Sequence, residues 1–166
     1  VLVVADTTAD QALVASDLLA QAEHDTDAAV AAVTDDERLA DAIAEQADEQ
    51  AGEREREDIV RGALTNDASG VFLARSMSEA ALFAEEFAAE HLSIVADDSE
   101  ALLDRIDSAG SVFLGPYSPV AAGDYATGPN HVLPTGGAAR RVGGLSVETF
   151  LRSTTVQHLD RQALGD

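Results

Sequence analysis

Short apolar blocks recur along the chain, and segments of helical period separate them. Strand–helix–strand alternation of this kind calls for a parallel sheet with helices packed on its faces, and it leaves few other folds open. The opening block, Val1–Ala5, reads VLVVA and is apolar at every position, as a strand buried on both faces must be. Further strands are predicted at Asp27–Val33, Gly70–Ala74, His91–Ala96 and Ser111–Gly115. Helices are predicted over Ala9–Glu23, from Thr34 to about Ala63, over Ser76–Ala89 and over Ser99–Ala109. The second of these is highly charged in its middle and is expected to break near Ala51-Gly52. Thr34 with Glu37, and Ser76 with Glu79, have the spacing of capping boxes. The expected fold class is therefore α/β: a Rossmann-like, mostly parallel sheet with helices on both faces, formed as one domain over residues 1–166.

Residues 115–144 depart from this pattern. The stretch is rich in Gly and Pro and has little periodicity, and so long a loop in a compact domain is usually functional. It follows the C-terminal end of the fifth predicted strand, the edge where open α/β sheets hold their ligands, so the crevice is expected there. A short helix is predicted at Leu145–Ser153.

Composition narrows the function. The chain holds 31 Asp and Glu against 10 Lys and Arg, a net charge of −21, and every one of the basic residues is Arg. Repulsion on this scale opposes binding to DNA, RNA or an anionic membrane. The acids are scattered along predicted helix faces and form no long block, which disfavours an acidic nucleic-acid mimic. No apolar run reaches the length of a membrane span. Cysteine is absent, so disulfides, thiolate metal ligands and a thiol nucleophile are excluded, and a cytoplasmic location fits. Val1, not Met, opens a strand, so the chain is expected to be part of a longer one. The acid surplus and the lack of Lys suggest a host with a salty cytoplasm.

Three places carry residues suited to chemistry. Gln21 and His24 stand at i and i+3 near a helix end, where an amide oxygen and an imidazole can share one metal. The same pair also suits a plain helix surface, with His favoured at the C-terminus by the macrodipole. Glu90-His91 falls at a helix–strand junction. Such a pair can move protons, or can be no more than a capped helix end. Asp124 and His131 lie in the long loop, within GDYATGPNHVLPTGG. His158, beside Gln157, is read as a surface residue.

The motifs FLGPYSP, GDY, GPNHVLPT and GLSV…FL, with EHLSIVADDSE before them and VLVVADTTADQALVASDLLAQAEHD at the start, resemble the histidinol dehydrogenase family over Val1 to about Asp160. The resemblance implies oxidation of L-histidinol to L-histidine through L-histidinal, the last step of histidine biosynthesis. It implies a homodimer with one zinc per subunit, using two NAD⁺ in turn. On the matching motifs, Gln21, His24 and Asp124 would ligate zinc. Glu90 and His91 would be the acid/base pair. Gln21, His24, His91, Asp124 and His131 would meet the substrate. Further segments on both sides would carry the NAD-binding part, a substrate-contacting Ser and a C-terminal domain that completes the partner's site. No GxGxxG occurs, so no NAD-binding residues are assigned. The isolated segment is expected to be inactive or nearly so. The rival from another class is a non-catalytic structural or binding module derived from this family.

The charge argument yields a test. Molar salt shortens the Debye length to about 3 Å and screens the self-repulsion. Thermal unfolding followed by circular dichroism is expected to shift upward between dilute buffer and molar salt. Equal stability in both would count against a salt-adapted chain.

Overall fold

The computed structural model describes residues 1–165. Five strands form one sheet: β1 (Leu2–Ala5), β2 (Ala31–Thr34), β3 (Gly70–Leu73), β4 (His91–Val95) and β5 (Ser111–Leu114). Their order is β3-β2-β1-β4-β5, and every neighbouring pair is parallel. The helices are α1 (Gln11–Ala22), α2 (Glu37–Ala51), α3 (Glu57–Leu64), α4 (Met77–Phe87), α5 (Ser99–Leu103) and α6 (Val120–Tyr125). The α/β class and the doubly wound parallel sheet are as the sequence predicts.

The central strand explains the layering. Side chains alternate across a strand, so Val1, Val3 and Ala5 face one layer while Leu2 and Val4 face the other. The first set packs with Val14, Leu18 and Leu19 of α1, Ile43 of α2 and Val60 of α3. The second packs with Ala80, Ala81 and Ala84 of α4 and Leu102 of α5. Each side of VLVVA thus meets its own helical layer, and no position of β1 can be polar. β4 alternates in the same way, with Leu92 and Ile94 in the second layer.

Several element ends differ from the sequence reading, each for a local reason. The helix predicted to start at Thr34 has Asp36 as its N-cap, accepting from the Leu39 amide at 2.8 Å. Thr34 instead completes β2: it pairs with Leu73 and its carbonyl accepts from the Ala74 amide. The charged helix breaks at Gly52 as expected. α5 ends at Leu103, well short of Ala109. Tight turns follow from Arg105 to Leu102 and from Ile106 to Leu103. The next two amides, of Asp107 and Ser108, then donate to the Glu85 carboxylate at 2.8 Å each. A side chain from α4 has taken the amides that a longer helix would need. Leu145–Ser153 yields only a 3-10 turn at Val147–Phe150.

Glu85 fixes the approach to β5, because the Ser108 hydroxyl also donates to it at 2.6 Å. These bonds hold its carboxyl below the ordinary value of 4.5. A group with a lowered folded pKa contributes stability that is complete above the ordinary value and lost as pH falls through the lowered one. Glu85→Ala is expected to cost about 1–2 kcal/mol at neutral pH. The deficit against the parent should shrink on acidification below about pH 4, as urea unfolding at several pH values would show.

Candidate active site

In a parallel sheet each crossover helix runs back to where the next strand begins. α1 therefore delivers its last turn to the N-terminal edge of the sheet. There the His24 amide donates to the Gln21 carbonyl, which brings the two side chains round to one side. Arg54 holds the same turn from α2's end, pairing with Glu23 at 3.2 Å.

α4 reaches this edge from the other layer. It ends on Ala88, whose φ of 52° is left-handed, a conformation that costs a non-glycine residue roughly 1–2 kcal/mol. This abrupt stop turns the chain so that Glu90 and His91 enter the edge, with His91 as the first residue of β4. Gly110 passes so close beneath that a Cβ there would lie 2.6 Å from the Glu90 carbonyl oxygen.

The third contribution comes from the long loop. It is not irregular throughout, since α6 runs from Val120 to Tyr125 and carries Asp124 in its last turn. Gly123 makes this possible. A Cβ at that position would stand 2.7 Å from the Phe113 ring, so only Gly lets α6 settle on β5. Phe113 in turn lies against His91, ring centroids 6.1 Å apart. The Gly of GDY is thus a packing requirement beside the imidazole.

These elements form one open cleft of about 400 Å³, lined by Gln21, His24, Glu90, His91, Asp124, Tyr125 and His131. All six residues singled out in the sequence meet in it. Tyr125 was not singled out, although it stands in the same GDY motif. A neighbouring pocket beneath Val1 shares Gln21 and Glu90 and is floored by Thr135, Gly136 and Gly137. His158 lies elsewhere on the exposed C-terminal stretch, as the sequence reading has it. One expectation fails: the cleft is not at the C-terminal ends of the strands. It occupies the opposite edge, because α6 carries the loop back alongside α1 and the loop's later part passes under β4 and β5.

His91 is the most buried member of the set, at 8% exposure. Burial lowers its pKa below the ordinary histidine value, while the Glu90 and Asp124 carboxylates oppose that shift. At neutral pH it is therefore a neutral imidazole, able to accept a proton. Its Nδ1 is buried without a hydrogen-bond partner among the described groups, so no protein acceptor locks its tautomer. Gln21, His24 and Asp124 also line a second pocket on the far side of the α1–α6 junction, so the three donors stand along one seam. An amide oxygen, an imidazole and a carboxylate make a mixed nitrogen–oxygen donor set of the kind that suits zinc. Among the described residues no three His, Asp or Glu groups make a metal cluster by themselves. The amide would have to take part, and the set is open.

Fold and cleft together define a doubly wound α/β domain with Gln21, His24, Glu90, His91, Asp124 and His131 gathered at the N-terminal edge of its sheet. The histidinol dehydrogenase family model matches residues 1–166, and the chain belongs to that family. It is 71% identical to the histidinol dehydrogenase of Haloarcula marismortui, over 100% of this chain and 39% of that protein. It is also 71% identical to the one from Halobacterium salinarum, over 99% of this chain and 39% of that protein. The crystal structure of histidinol dehydrogenase from Elizabethkingia anophelis is 40% identical and superposes with a TM-score of 0.89, covering 98% of this chain and 37% of that one. The chain thus spans about 39% of the length of these two relatives.

Gly123→Ala tests the packing argument. The Cβ would overlap Phe113, a clash worth about 1–3 kcal/mol that exceeds the gain of roughly 1 kcal/mol in helix propensity. The variant is expected to unfold at lower temperature. Adding Phe113→Leu should recover part of the loss; no recovery would show that the close approach is not the cause.

Proposed function

We propose that the full-length protein carrying this chain oxidises L-histidinol to L-histidine through L-histidinal, with zinc and NAD⁺, as the last step of histidine biosynthesis. The observation that carries this reading is the meeting of Gln21, His24, Glu90, His91, Asp124 and His131 in one cleft, although they come from three separate stretches of chain. Family membership supports it. None of the six is displaced from the cleft, so nothing favours a non-catalytic module. In this reading residues 1–166 form one domain of a longer chain. The rest of the site comes from other segments and from the partner subunit of a homodimer.

Gln21, His24 and Asp124 would hold the zinc. When bound, zinc supplies a positive centre that orients the imidazole and amine of the substrate, and NAD⁺ accepts the hydride in each oxidation. His91, neutral and buried, would take the hydroxyl proton as the alcohol carbon is oxidised. The aldehyde then needs an oxygen nucleophile. With no Cys in this segment to form a thiohemiacetal, water is the natural choice, and the Glu90 carboxylate would take its proton. His131 lines the same cleft and would meet the substrate. No helix among the described residues is long and apolar enough to cross a membrane.

The test uses the full-length protein and follows NADH formation from histidinol. His91→Asn and Glu90→Gln are each expected to slow turnover by about 10²-fold or more while zinc content is kept. His24→Ala should lose zinc. The lowered pKa of His91 leaves it unprotonated to lower pH than a free imidazole, so the acid limb of the rate profile should fall below the ordinary histidine value. Full turnover by His91→Asn would overturn the assignment of the base.

A further inference from the structure

The end of α4 is held by more than its own helix. Glu85 lies one turn before the stop at Ala88 and is half-buried. Its carboxylate accepts from the amides of Asp107 and Ser108 at 2.8 Å each and from the Ser108 hydroxyl at 2.6 Å. Among the described residues it forms no ion pair. A little further on, the same segment returns to the exit of α4. The Gly110 amide donates to the Ala89 carbonyl and the Ser111 amide to the Glu90 carbonyl, each at 2.9 Å.

These two sets of bonds bracket Ala88. One lies before it, at Glu85, the other after it, at Ala89 and Glu90, and both run to residues 107–111. Among the described residues Ala88 alone is left-handed without being Gly. A residue stays in that region only where its surroundings fix it. Its own sequence does not: Ala88, Ala89 and Glu90 are good helix formers, and local preference would carry α4 onward through them. That would turn Glu90 and His91 out of their present directions. What stops the helix is the segment 107–111, pinned by Glu85 on one side and bonded to Ala89 and Glu90 on the other. The fit is close, since a Cβ at Gly110 would lie 2.6 Å from the Glu90 carbonyl oxygen and 3.1 Å from Pro134 Cδ.

We propose that Glu85, through Ser108, is a positioning residue for the Glu90–His91 pair: its carboxylate pins residues 107–111, which keep Ala88 left-handed and α4 closed before the pair. This rests on the acid/base reading above. The experiment follows NADH formation from histidinol by the full-length, zinc-loaded protein, beside its zinc content and unfolding temperature. Glu85→Ala is expected to keep its zinc and to lower kcat roughly tenfold or more, with KM changed by less than about twofold, because small misplacements of reacting groups are that costly. Glu85→Gln keeps an acceptor oxygen and should retain most of kcat. Ala88→Gly added to Glu85→Ala should restore much of it, because Gly takes the left-handed turn without being held there. A merely structural role would lower the unfolding temperature of Glu85→Ala and leave kcat, measured below that temperature, unchanged; that result overturns the proposal. So does a loss of kcat that Ala88→Gly fails to restore. Should Glu85→Ala fail to fold, Ser108→Ala removes the hydroxyl bond alone, and a kcat equal to the parent's then overturns the proposal. His91→Asn and Glu90→Gln separate the two readings. If they slow turnover while Glu85→Ala does not, only the positioning role falls; if neither slows it, the acid/base reading falls and the proposal with it.

Discussion

Burial of β1 on both faces is the constraint from which the rest of the structure follows. A strand with no polar side needs a helical layer above and below, and its strand neighbours must be parallel to leave room for the crossovers. Val3 and Val4 are both almost fully enclosed, yet they point into different layers. Parallel crossovers then dictate that each helix ends at the N-terminal edge of the sheet. The site stands at that edge because three helices finish there.

Those helix ends also set its electrostatics. α1 closes just before His24, α4 closes just before Glu90-His91, and α6 closes around Asp124. Helix C-termini carry partial negative charge on their free carbonyls. The familiar ligand crevice of open α/β sheets, at the other edge, faces helix N-termini and suits anions such as phosphates. A cleft ringed by C-termini suits the opposite kind of ligand, a cation or a protonated amine. The donor types in the cleft agree with its place in the fold.

Most of the fold was legible because it is written in local patterns. All five strands and the order of the main helices follow from apolar blocks and helical periods, and the site residues from motifs whose spacing is distinctive. What could not be read was set by contacts between distant residues. The length of α5 depends on Glu85, which lies on another helix and draws away the amides of Asp107 and Ser108. α6 escaped notice because VAAGDY contains a Gly and is too short to show a period, while its seat is the distant Phe113 ring beneath Gly123. The edge on which the cleft lies was misjudged for the same reason, since the path of the loop after β5 depends on α6.

The charge of the chain bears on how such a site could choose its ion. Asp41, Glu45, Asp48 and Glu49 all lie exposed on α2, and only four ion pairs are found among the described residues. An acid surplus of this size draws in cations of every kind, and halophilic relatives at 71% identity fit a setting where monovalent ions are abundant. A site built from carboxylates alone would there be filled by hard cations, which prefer oxygen. As a zinc ligand, in the reading proposed above, His24 would change that preference, because an imidazole favours zinc and related metals over sodium, potassium or magnesium. In the zinc reading proposed above, the selectivity of the donors that this chain contributes would come from their one nitrogen. That makes the placement of His24, in the turn closed by the Gln21 carbonyl, more consequential than the number of carboxylates around it.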